Sequence, residues 1–112
     1  MYDPNTWMVF DYFLSDQNIY AFYERLPFGK NVPPLGDYHA FSYAVLVGSR
    51  TSDPETDFVR LGIGYSRETK SVTWYINKKP VFTVDRIGLP LPDQYHLLEH
   101  GGASEIVDVK TL

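Results

Sequence analysis

Leu61 to Gly88 reads LGIGYSRETKSVTWYINKKPVFTVDRIG, three apolar runs separated by two short polar turns. A strand shows alternate residues to opposite faces, and a slip of one residue exchanges the faces. A four-residue loop Arg67-Glu68-Thr69-Lys70 sets Ser66 against Ser71, Tyr65 against Val72, Ile63 against Trp74 and Leu61 against Ile76. A three-residue turn Asn77-Lys78-Lys79 sets Trp74 against Phe82 and Val72 against Val84, with Tyr75 beside Val81, Thr73 beside Thr83 and Ser71 beside Asp85. A two-residue turn at Asn77-Lys78 would put Thr73 against Phe82 instead. The apolar alternation therefore predicts the longer turn, with Asn77 standing in for the glycine such turns favour. The predicted core face is Leu61, Ile63, Tyr65, Val72, Trp74, Ile76, Phe82 and Val84. The other face is mixed and lightly polar: Arg60, Gly62, Gly64, Thr73, Tyr75, Thr83 and Asp85.

The rest of the chain is read outward from this meander. Residues 1–6 read as a loose start. Trp7 to Phe13 is apolar on both sides and predicts a strand buried on both faces. Asn18 to Leu26 alternates Tyr20, Phe22 and Glu24 against Ile19, Ala21, Tyr23 and Arg25, and its aromatics favour a strand over a short helix. Pro27 to Asp37 is a loop dense in Gly and Pro. Tyr38 to Val47 predicts a long strand with His39, Phe41, Tyr43, Val45 and Val47 on one face. Gly48 to Thr56 reads as a polar loop, and Leu89 to Pro92 breaks the chain again. Tyr95 to His100 and Glu105 to Val109 predict two short final strands. About eight short strands without a helix give an all-β antiparallel sandwich or barrel.

The 112 residues fit a single domain spanning 1–112 with a real core. Aromatics at 16%, with 9 Tyr and 7 Phe, suit β-structure. The formal charge of -4 and singly scattered basic residues argue against a nucleic-acid partner. Without Cys there are no disulfides and no thiolate metal sites. No apolar run of membrane length and no signal-peptide pattern occur, so the expectation is no membrane partner and, by default, a cytoplasmic location.

The run SVTWYINKKPVFTV resembles the hairpin of concanavalin A-like jelly rolls, which include laminin-G-type modules and family 16 glucanases. Val72, Trp74, Tyr75 and Ile76 carry that likeness, and Asn77-Lys78 replaces the usual Asp-Gly. The longer run RLGIGYSRETKSVTWYINKKPVFTVDRIG is similar to an uncharacterised bacterial family of jelly-roll proteins (the DUF6081 type), over about Tyr38 to Gly102. The resemblance implies a jelly-roll sandwich. Such sandwiches are usually longer, so the chain reads as a minimal version, a piece of a larger parent, or a half completed by pairing with a second copy as a homodimer.

His96-Leu97-Leu98-Glu99-His100 fits H-x-x-E-H, the inverted zinc-peptidase pattern, which needs both imidazoles on one helical face. Pro90 and Pro92 before it and Gly101-Gly102 after it leave too little room for that helix, and no metal or cofactor is expected. Asp53-Pro54-Glu55-Thr56-Asp57 places carboxylates at alternate positions. Their order departs from the glucanase cluster, whose catalytic pair flanks the sugar bond, so no glucanase residue carries over. A weak Ca²⁺ site or a solvated acidic loop is what remains there. Gly62-Ile63-Gly64 lacks the continuation of a dinucleotide fingerprint and reads as a bend or a close approach. Arg86 either ends a core strand in solvent or anchors a ligand carboxylate.

The aromatic surplus is the remaining functional signal, since Tyr and Trp dominate interfaces and apolar pockets. Trp74, Phe82 and Phe41 are assigned to the core. Tyr75 either borders a groove or simply covers the glycine backbone. The leading expectation is non-catalytic binding of a carbohydrate or other small molecule by Arg60, Thr73, Tyr75 and Asp85. The alternatives are a small metabolic enzyme (a lyase, isomerase or cyclase) with His39, His96 or His100 as its acid–base group, or a structural assembly module.

Overall fold

The meander from Leu61 to Val84 forms a three-stranded antiparallel sheet in a computed structural model that describes residues 1–50, 59–92 and 96–112, with backbone alone at 96, 97 and 100. Its strands are β5 (Leu61–Ser66), β6 (Ser71–Ile76) and β7 (Lys79–Val84). Before it come β1 (Tyr2–Asp3), β2 (Met8–Leu14), β3 (Asn18–Arg25) and β4 (Ala40–Ser49); after it comes β8 (His96–His100). These form a second antiparallel sheet in the order β1-β2-β3-β4-β8. The fold is an all-β sandwich. Among the described residues the one helical element is a three-residue 3-10 turn at Pro27–Gly29, and no helix is long and apolar enough to cross a membrane.

Register between β5 and β6 is as the alternation dictates: Leu61 opposite Ile76, Ile63 opposite Trp74, Tyr65 opposite Val72 and Ser66 opposite Ser71. Between β6 and β7, Val72 opposes Val84, Thr73 opposes Thr83 and Trp74 opposes Phe82. The turn itself differs from expectation. It has two central residues, Asn77 at φ 51 and Lys78 at φ 69, followed by the pairs Ile76–Lys79 and Tyr75–Pro80. Positive φ at both positions is what a tight hairpin turn matched to strand twist requires. A bulge at the Trp74/Tyr75 step absorbs Val81 and restores the apolar register beyond it. Tyr75 therefore faces Pro80 rather than Val81. Pro80 is tolerated because β7 is an edge strand and a bulge relieves the ladder of its missing N–H.

The two sheets meet over Met8, Phe10, Ala21, Tyr23, Phe41, Tyr43 and Val45 on one side and Val72, Trp74 and Val84 on the other. Trp74 is fully buried, lies edge-on to Phe10 with ring centres 6.0 Å apart, and donates its indole N–H to the Asp11 carbonyl at 2.8 Å. An indole sited this way fills the core without stranding its polar atom. Phe82 is half-buried beside it.

Three further expectations are corrected. Residues 1–6 are not loose: β1 pairs with β2, and buried Asp3 accepts hydrogen bonds from Thr6 Oγ1 and Thr111 Oγ1, each at 2.5 Å. A buried carboxylate needs such donors, and they fasten both ends of the chain together. Trp7 to Phe13 is not buried on both faces: on β2 Met8 and Phe10 are buried, while Asp11 and Phe13 on the opposite face are exposed, Phe13 to 50%. Glu105 to Val109 is not a strand. It runs across the sandwich, donates Val107 N–H to the Ile87 carbonyl at 2.9 Å and buries Val109. It also supplies Glu105, which pairs at 3.0 Å with Arg25, whose side chain is wholly buried at the end of β3. The Arg25 guanidinium stacks 3.9 Å from the centre of the Tyr38 ring, which spreads its charge over an aromatic face.

Candidate functional site

The outer face of β5–β6 carries a hollow, because its strand positions alternate glycine with core-directed residues. Gly62 lies opposite Tyr75 and Gly64 opposite Thr73. A Cβ on Gly62 would stand 3.9 Å from Tyr75 Cβ, and one on Gly64 would stand 3.5 Å from Tyr75 Cε2. The Tyr75 ring thus slants across β5, half-buried, with open space beside it rather than a wall of side chains. The space amounts to about 440 Å³, bordered by Arg60, Leu61, Gly62, Ile63, Gly64, Tyr75 and Lys78.

Two features fix this hollow. The first is a clamp at one end: Asn77 N–H donates to the Arg60 carbonyl at 2.8 Å, and Arg60 N–H donates to Asn77 Oδ1 at 2.9 Å. The strand start and the hairpin turn are held as one piece, which brings Arg60 and Lys78 to the same hollow. The second is a peg through the sandwich. Tyr12 on β2 sends its hydroxyl to the Tyr75 carbonyl at 2.6 Å and stands 3.1 Å from the Gly62 carbonyl. Burial pushes the Tyr12 phenol above its usual range, so it stays a neutral donor.

Of the residues expected to form a ligand face, Arg60 and Tyr75 border this hollow. Thr73 shares the Tyr75 face of β6, but its hydroxyl is 2.9 Å from that of Thr83. Asp85 does not join them. It lies with Thr83, Arg86 and Leu89 at a separate hollow of about 160 Å³. Lys78 and Tyr12 are the participants sequence reasoning missed. Lys78 reads from sequence as a turn residue without a role, yet the tight hairpin brings it to the Arg60 end of the hollow. Tyr12 sits on the other sheet, and its reach depends on how the sheets stack.

The histidines divide. His39, just before β4, is 5% exposed. Its Nδ1 lies 3.0 Å from Ser104 Oγ, and its Nε2 lies 2.6 Å from Glu99 Oε1, although that nitrogen lacks a properly aligned hydrogen bond. His39 N–H also donates to the Ala103 carbonyl at 3.0 Å, so the residue ties the segment after β8 to the larger sheet. His96 and His100 fall on β8, a strand and not a helix, and their side chains lie outside the described residues. The acidic cluster Asp53, Glu55 and Asp57 lies outside them as well. Among the described residues no group of three or more ionisable side chains converges as a metal site does.

A sequence profile for a family of unknown function, DUF6081, matches residues 1–112. An uncharacterised protein of Acanthamoeba polyphaga mimivirus is 38% identical over 154 aligned positions, which cover 94% of this chain and 36% of the relative. The chain therefore spans about a third of that relative's length. The alignment is longer than the chain's 112 residues, so the relative carries residues inside the matched span that this chain lacks. That relative is viral, so the likeness is not confined to bacteria. No solved structure matches. With its whole length matched, the chain belongs to the DUF6081 family of unknown function.

Proposed function

We propose that this β-sandwich is a non-catalytic ligand-binding domain of concanavalin-like jelly-roll type, taking a ring-shaped small molecule or saccharide unit at the Tyr75 hollow. The observation that carries the reading is the hollow of about 440 Å³ beside an aromatic ring. An aromatic face with a few polar groups at its border is the common composition of small-molecule sites. The two glycines leave the phenol accessible without requiring strained backbone, and the Tyr12 peg and Asn77 clamp hold the walls before a ligand arrives. Preformed walls lower the ordering cost of binding. The jelly-roll part rests on resemblance. The three strands of the smaller sheet against five in the larger, and the additional residues of the viral relative, support a fuller sandwich in longer members.

The test is chemical-shift mapping of the labelled protein with a panel of oligosaccharides and apolar metabolites. Shifts clustered on residues 60–64, 75 and 78, lost in Tyr75→Ala, support the reading. Shifts elsewhere, or none with any member of the panel, defeat it.

A second reading keeps chemistry at His39, because Ser104 and Glu99 approach its two ring nitrogens. A hydroxyl, an imidazole and a carboxylate side by side are the groups that an activated nucleophile uses. A fluorophosphonate probe that labels Ser104 in the folded protein, and fails in His39→Ala, supports it. Equal labelling of folded and denatured protein removes it.

A further inference from the structure

Resting on the groove reading above, we infer that the ligand of the Tyr75 hollow is anionic: a pyranose unit bearing a carboxylate or a sulfate group, rather than a neutral sugar. The first ground is the charge at the site. Of the seven described residues that border the hollow two are cations, Arg60 and Lys78, and none is acidic. The chain as a whole has the opposite balance, with 14 acidic against 10 basic residues. The hollow is therefore a local reversal of the molecule's charge.

The second ground is that these two cations have nothing to do within the described protein. The described ion pairs employ Arg25, Lys30 and His39. Among the described residues Arg60 takes part in hydrogen bonding through its main chain alone, and neither its guanidinium nor the Lys78 ammonium meets a carboxylate. Both are exposed, so they meet an incoming group without first breaking a bond.

The third ground is their placement. The reciprocal bonds between Arg60 and Asn77, one to the main-chain carbonyl and one to the Asn77 side-chain oxygen, set Arg60 and the Lys78 turn at the same end of the hollow, while the middle is apolar ring, glycine and Ile63. A ring lying on Tyr75 with its charged substituent toward that end satisfies both halves. The planar guanidinium fork suits a carboxylate or sulfate edge, and the ammonium adds a point charge. A neutral sugar would use the aromatic floor and leave both cations idle.

The experiment is isothermal titration with matched short oligomers of galacturonate, sulfated galactose and neutral galactose, using wild-type protein and the double variant Arg60→Gln, Lys78→Asn. Asn suits the positive φ at position 78, and thermal melts confirm that the variant folds. At least one acidic series should bind wild type about ten-fold or more tighter than the neutral one, weaken as salt rises, and fall to the neutral level in the double variant. Comparing the two acidic series identifies carboxylate or sulfate as the charge recognised. Equal affinity for neutral and acidic oligomers, lost in Tyr75→Ala, would overturn the anionic preference and leave the groove standing. Binding of the acidic series unaffected by Tyr75→Ala would overturn both, as would no binding of any series.

Discussion

Tyr12 and Tyr75 lie on different sheets, yet the hydroxyl of the first donates to the main-chain carbonyl of the second at 2.6 Å. This bond passes through the sandwich at the point where Tyr75 crosses the glycines of β5. It couples the packing of the core to the position of the Tyr75 ring on the outer hollow. Tyr12→Phe keeps the ring and removes the bond. It should cost about 1 kcal/mol in a urea melt and shift the amide signals of residues 61–64 and 75–76. An unchanged midpoint with unchanged signals would show that the peg holds nothing in place.

Trp74 is buried against Phe10 and Phe82 from both sheets. Trp74→Ala should cost about 3–5 kcal/mol, as the loss of a large core aromatic does. A loss below about 1 kcal/mol, the size of an ordinary surface change, would contradict its place at the sheet interface.

Much of this was legible in the sequence because the meander is half-buried and strictly alternating. Placing Trp74 against Phe82 needed only the rule that apolar residues share a face. The turn was misjudged for the same reason: regular ladders were assumed, and the Val81 bulge lets a two-residue turn yield the same apolar register. The seating of the chain start was hidden because Asp3 finds Thr111 from the far end of the chain, a pairing no local pattern announces. The hollow was half-legible. Gly62, Gly64 and Tyr75 announce it through register, whereas Asp85 falls away to a different depression once the strand ends.

The hairpin turn offers a change that should stabilise. Lys78 sits at φ 69, which a side chain makes less comfortable than glycine does. Lys78→Gly should leave stability equal or raise it by a few tenths to about 1 kcal/mol, measured by urea melts. A clear loss would mean that the Lys78 side chain contributes packing.

Buried phenols set the alkaline limit. Burial raises the pKa of Tyr23 furthest, and also those of Tyr12 and Tyr38, above the ordinary value of 10.0. The unfolded chain then loses these protons first as pH rises. Their contribution is fully present below about pH 10 and is lost progressively above it, as the pH climbs toward the folded-state values. Urea midpoints should fall between about pH 9 and about pH 11, with part of the phenolate absorbance appearing only on unfolding. A midpoint that stays level or rises across that range would contradict the burial.

If the space beside Tyr75 receives a ligand, and is not merely a glycine bed under a covering ring, then filling that space abolishes binding. Gly62→Val tests it most directly, because the nearest atom to a new Cβ is Tyr75 Cβ at 3.9 Å and a β-branched residue suits a strand. The measurement is ligand-induced chemical shift in wild type and variant side by side, with thermal melts of both. The expected result is a melt at or above the wild-type temperature, with shifts at residues 60–64, 75 and 78 in wild type that vanish in the variant. Identical shifts in a well-folded variant, or none in wild type, would contradict it.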